Sequence, residues 1–260
     1  MSSVPTFPAG AALFVAVVSG ASVGCSRARE PSNELRQRTS FWLVPHPLDI
    51  APTPGAAASP VKLRDLGAFK RVIDQVIVRA RVVNDSDRPQ LPLVTFTFSD
   101  GTGRALGDGA CAIERSVLRP HESAPCWVSA RKGAVSARFD IYLSPQPGVE
   151  SALARRHDLD VTRAEIDRVR TPPGPGVPSQ FFFSGTIARA RVPKSALPRV
   201  DVDFYAGDVW VGHVATTFSI EALATKGASF SGSTDEINLL KAPTRVQATA
   251  FVQSYEAAPQ

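Results

Sequence analysis

The feature that most constrains the fold is a two-residue alternation of apolar and polar side chains, broken at short intervals by turn residues. Val76-Ile77-Val78-Arg79-Ala80-Arg81-Val82-Val83 runs into Asn84-Asp85-Ser86-Asp87, and Leu93-Val94-Thr95-Phe96-Thr97-Phe98 runs into Ser99-Asp100-Gly101. Successive residues of a strand point to opposite faces, so this pattern predicts strand, turn, strand, turn. Further strands are expected at residues 110–114, 126–130 and 135–143, with Arg119-Pro120-His121-Glu122 and Lys132-Gly133 as turns between them.

A second block of the same kind starts at Phe181-Phe182-Phe183 and continues through 185–192, 200–205, 209–218, 228–230 and 246–252. Between the blocks, residues 150–170 give the one helical reading. Thr162 and Glu165 have the spacing of a capping box, and Val161, Ile166 and Val169 form an apolar stripe. Thr171-Pro172-Pro173-Gly174-Pro175-Gly176 ends it, because proline lacks a donor and bars helix from the residue before it. The blocks read as a repeat: Val94–Phe98 before Ser99-Asp100-Gly101 aligns with Val200–Tyr205 before Ala206-Gly207-Asp208, at an offset of about one sandwich domain. The expected class is mainly β, as two tandem immunoglobulin-like antiparallel β-sandwiches joined by a short helical linker. The expected boundaries are a signal peptide at 1–24, a Pro/Ala-rich tether at 25–60, a first sandwich at 61–148, a helical and Pro/Gly-rich linker at 149–178 and a second sandwich at 179–256.

Ala9 to Cys25 (AGAALFVAVVSGASVGC) is apolar but too short for a comfortable span of about 20 residues, and is long enough for a signal-peptide core. Val23-Gly24-Cys25 resembles the lipobox of bacterial lipoproteins, which implies that Cys25 carries lipid and becomes the mature N-terminus. Plain secretion, an uncleaved anchor and a cytosolic chain remain open. In that family an aspartate after the cysteine signals inner-membrane retention, so Ser26 implies an outer-membrane lipoprotein of the cell envelope, facing the periplasm or the cell surface. In the tether, Phe41-Trp42-Leu43-Val44 is either a strand that docks on the fold or a partner-binding patch.

The chain has three cysteines. With Cys25 set aside, Cys111 and Cys126 form an even pair, read as one disulfide in an oxidising compartment, with two buried free thiols as the alternative. The order of strand, Asn-Asp-Ser-Asp, aromatic strand, Asp-Gly turn, Leu-Arg-Pro-His-Glu turn and strand resembles the FxLyD and related immunoglobulin-like domains of bacterial envelope proteins. The resemblance covers Val76 to Leu143 and, more loosely, Phe181 to Val252. It implies a fold and brings no catalytic residues.

No enzyme signature stands. Gly101-Thr102-Gly103 with Gly107 sits between strands instead of opening a helix, so it reads as a hairpin turn. His46, His121, His157 and His213 each lack a second histidine or cysteine at ligand spacing, and no metal or cofactor is expected. Asp201, Asp203 and Asp208 share a strand face and its turn; a solvated face is preferred over a cation site. Phe181, Phe182, Phe183 and Trp210 either form an exposed aromatic platform or cover a contact between domains or with the linker. Lys and Arg number 29 against 24 Asp and Glu, but they are scattered singly, which argues against nucleic acid as a partner. The reading is a non-enzymatic, lipid-anchored binding or scaffolding protein with an envelope protein partner. The alternatives are a carbohydrate- or peptidoglycan-binding accessory module and a hydrolase of unrecognised type built on the three aspartates.

Overall fold

The computed structural model describes residues 41–254, apart from residues 57, 72–74, 114–116, 172–173, 175 and 194–195. Cys25, the signal peptide and the tether up to residue 40 lie outside the described residues. Most of the expected strands are present, although the one expected at 185–192 ends at Ile187, and among the described residues the fold is mainly β with four sheets and two short helices.

The N-terminal unit holds two sheets. One comprises β1 (Val44–Pro45), β3 (Val61–Lys70), β4 (Val76–Asn84), β8 (Ser123–Ser129) and β7 (Ala112–Ile113), in that order across the sheet. The other comprises β2 (Asp49–Pro52), β9 (Ser136–Leu143), β5 (Pro92–Ser99) and β6 (Ala105–Ala110). Inward residues of both, among them Val78, Ala80, Val82, Val94, Phe96 and Phe98, form one core. Cys111 and Cys126 are disulfide-bonded inside it, with Cα atoms 5.5 Å apart.

The C-terminal unit repeats the plan. β11 (Val161–Arg170), β12 (Gln180–Ile187) and β15 (Ala228–Asp235) form one sheet. β10 (Arg156–Leu159), β16 (Arg245–Ser254), β13 (Ala196–Ala206) and β14 (Val209–Thr216) form the other. Phe181, Phe183, Val200, Val202, Phe204 and Phe230 lie in the second core. The order β3-β4-β8 matches β11-β12-β15, and β9-β5-β6 matches β16-β13-β14, with partners such as Pro92 and Ala196 about 104 residues apart. No sheet contains strands of both units among the described residues.

Three expectations need correction. Residues 161–170 are strand, not helix: the helix α1 covers only Gln146–Ala154, and Thr162 bonds Thr186 of β12 instead of capping. β11 slips register between Val161 and Arg163 and again between Ile166 and Arg168, so its apolar residues fall at an irregular spacing that imitates a helical stripe. The linker at 149–178 is therefore not a linker over most of its length, since β10 and β11 are structural parts of the C-terminal unit, and α1 itself buries Val149 and Ala152 against Val117. The tether at 25–60 ends by residue 41: Phe41 and Leu43 are buried, and β1 and β2 join the N-terminal sheets. The second helix, α2 (Ile220–Lys226), is capped by Ser219 accepting from the Ala222 amide.

Candidate functional site

The site lies where the units meet, and a hairpin irregularity builds it. In the β13–β14 hairpin Phe204 pairs with Gly212 and Tyr205 with Trp210, which leaves Val211 as an extra residue. This bulge lets Val211 enter the core while Trp210 and His213 share the outer face. Both reach one atom of the facing strand. Trp210 Nε1 donates to Asp203 Oδ1 at 3.0 Å, and His213 Nδ1 lies 3.1 Å from that same oxygen, which fixes Nδ1 as the protonated nitrogen because a carboxylate can only accept. Asp201, two residues away on the same face, is fully buried, accepts from Arg199 Nε at 2.8 Å and stands 3.8 Å from His213 Nε2.

The N-terminal unit covers this face. Arg79 of β4 extends across the junction, 4.5 Å from the Trp210 ring centroid, and donates to Val211 O at 3.4 Å. Burial, and then the neighbouring Arg71 charge, lower its pKa to about 10 against partial support from Asp203. Arg71 reaches Gln75 Oε1 and Asn238 Oδ1, both neutral, and burial lowers its pKa as well. A cavity of about 240 Å3 remains between the units, lined by Arg71, Arg79, Trp127, Trp210, His213 and Asn238 among others. Gly212 admits the Asn238–Leu239 segment to this wall: a Cβ there would lie 2.1 Å from Leu239 Cδ2. A second contact closes the junction elsewhere. Arg156 of β10 grips both carboxylate oxygens of Glu122 at 2.7 and 2.8 Å, donates to Val117 O at 2.8 Å and to Asp158 at 2.7 Å, and lies over the Phe251 ring. Burial alone would lower its pKa, but the Glu122 and Asp158 interactions outweigh it and raise the value.

No protein-family model matches this chain, and no curated protein matches it. A solved structure, the N-terminal CBM22-1-CBM22-2 tandem domain from Paenibacillus barcinonensis Xyn10C, covers 86% of this chain and 94% of its own at 5% identity. The TM-score is 0.14, and at that value the likeness carries no argument.

The aromatic residues singled out from sequence do not make an exposed platform. Phe181 and Phe183 point into the C-terminal core, Trp42 packs on Phe181, and Phe182 lies under the Arg168 guanidinium. Trp210 is 6% exposed and faces the other unit. The three aspartates part company: Asp201 and Asp203 are buried beside His213, whereas Asp208 is fully exposed near Arg245. The solvated face expected for Asp201 and Asp203 is thus wrong, because a second unit covers it. Among the described residues no cluster of three or more His, Cys, Asp or Glu side chains is arranged for a metal, and no helix is long and apolar enough to cross a membrane. Sequence reading gave Arg79 only a strand position and Glu122 only a turn position, and it passed over the role of Arg156. The only available signal was an arginine placed mid-strand between valines, at Arg79.

Proposed function

We propose that the chain is a lipid-anchored envelope protein built from two tandem immunoglobulin-like sandwiches, and that it acts without catalysis as a binding or scaffolding part of a larger assembly. The equivalent strand order of the two units supports the tandem reading. The observation that carries the scaffold reading is the junction: Arg79 on Trp210 at one end and Arg156 on Glu122 at the other hold the two units to each other through buried charged side chains. A protein that presents binding surfaces at a fixed separation needs such a junction. On the free outer face of the N-terminal unit, Leu93 and Tyr142 are directly paired across β5 and β9 and about half exposed, an apolar pair that suits a protein partner.

Intact-mass measurement on membrane-extracted protein tests the anchor; a chain beginning at Cys25 with added lipid is expected, and unmodified Cys25 overturns it. A photo-crosslinking residue in place of Tyr142 tests the assembly. One discrete protein adduct in the native envelope is expected, and a chain that yields none there is not a scaffold through this face.

A further inference from the structure

The two units finish one flank of their sandwiches differently. In the C-terminal unit β10 lies antiparallel on Ala250–Gln253 of β16, and β11 packs closely on β16 beside it. The shared register, Pro92 with Leu143 and Ala196 with Ser254, puts residues 139–142 of β9 at the same positions. There the covering strand stops short. β2 runs parallel to β9 from Ser136 only to Phe139, and β3 makes no comparable approach to β9. The cause is local. Where the C-terminal unit has β10, just before β11, the N-terminal unit has residues 53–60, in which Pro54 and Pro60 have no amide to donate, Gly55 takes a left-handed φ of 79° and the Ala56 amide closes a turn on Thr53 O.

The edge left bare is backbone. Thr53 N donates to Phe139 O on the β2 side, and strand residues two apart point the same way, so Ile141 turns its N–H and C=O to that flank. Its partner across β5 agrees: Val94 O accepts from Cys111 on the far side, so Val94 and Ile141 exchange no ladder bond. Neither Ile141 group has a partner among the described residues, whereas the equivalent Val252 faces His157 of β10. On β3, Pro60 O accepts from the Asp85 amide at the end of β4, so Lys62 faces β4 and Leu63 turns outward. A cavity of about 480 Å3 lies between Leu63 and Ile141, with Val61, Phe139 and Tyr142 among its walls. Its two charged residues are engaged: Lys62 lies 3.3 Å from Asp85, and Asp140 accepts from Thr53 at 2.8 Å. The flank therefore suits a neutral occupant with a free backbone.

We propose that this flank binds an extended, neutral peptide segment of a partner protein, added antiparallel to β9 at residues 140–143. The peptide backbone pairs with Ile141 as β10 pairs with Val252, and one apolar side chain enters between Leu63 and Ile141. This mode rests on the binding role proposed above and adds a strand edge to the face offered by Leu93 and Tyr142.

Hydrogen exchange on the intact chain, read by NMR at single amides, tests the open edge. The Ile141 amide should exchange at least about 100-fold faster than that of Val252. Equal protection at every protein concentration would mean that the chain covers the edge itself, and protection that grows with concentration would give it to a second copy; either overturns the proposal. Selection from a phage-displayed library of random peptides about nine residues long then tests the occupant. The selected peptide, made synthetically, should alternate apolar residues, bind with a dissociation constant of about 100 μM or tighter and slow exchange at Ile141. N-methylation of its alternate amides should weaken binding at least about tenfold in one of the two phases, because those amides face β9. No selected peptide, no slowing at Ile141 or indifference to N-methylation in both phases overturns the assignment. A chain that cross-links through position 142 in the envelope but selects no peptide keeps the scaffold role and loses this one.

Discussion

Arg156 and Arg79 both cross the junction with almost no exposure, yet they are provided for in opposite ways. Arg156 finds a carboxylate fork, a second carboxylate and a carbonyl, all within 2.8 Å. Arg79 finds an aromatic face, one long bond to a carbonyl, a repelling neighbour and a cavity. The desolvation of a buried guanidinium is offset only by well-placed acceptors, so the first contact is a clamp and the second a charged pocket. A junction that is fully satisfied at one end can tolerate an incomplete site at the other.

Removing one side of the clamp gives the largest expected effect. Glu122→Ala strands a buried guanidinium and should destabilise the chain by about 3 kcal/mol or more, read from the urea midpoint. A loss under about 1 kcal/mol would put the two ends on an equal footing. Cys111→Ala with Cys126→Ala opens a loop with a sequence separation of 15 residues and should cost about 3 kcal/mol in the N-terminal unit. Asp203→Ala leaves the Trp210 and His213 donors without their acceptor and should cost about 2 kcal/mol, whereas Asp208→Ala should stay within about 0.5 kcal/mol. Equal effects at the two positions would restore the picture of a solvated face.

A smaller effect than that of Asp203→Ala is expected at the pocket itself. Arg79→Met should change stability by less than about 1 kcal/mol, because the desolvation of an incompletely paired charge disappears with the charge. A pH titration separates this from simple packing. The unfolded chain keeps the arginine proton to a higher pH, whereas the folded chain releases it near 10, so above that pH the folded state binds fewer protons. Stability of the parent chain relative to Arg79→Met should therefore rise as pH increases through about 10, and fall back as pH drops below it. A flat difference curve would mean that Arg79 is not the desolvated group described.

Legibility in the sequence followed local regularity. β4, β5, β9 and β13 were readable because their alternation is unbroken over the stretch that is buried. β3 and β11 occupy equivalent places in the two units, and both were missed for one reason: each carries a bulge, at Arg64 to Gly67 and at two points of β11, that shifts the side-chain phase midway. Asp65 marks the first of these bulges with a left-handed φ of 52°. Glu122 was visible as a turn residue, and its turn is where it sits, but nothing local says that a turn carboxylate will face an arginine of the other unit.

The sequence by itself determined the β class, the spacing of hairpins, the repeat and the cysteine pair, because each depends on neighbours within a strand or across one turn. Only the tertiary structure decided that Asp201 and Asp203 are buried, that Trp210 turns away from its own core and that two arginines share a cavity. A polar strand face is the same string of residues whether water or another protein surface covers it. What covers it is settled by chain segments more than a hundred residues away, and no local pattern encodes that.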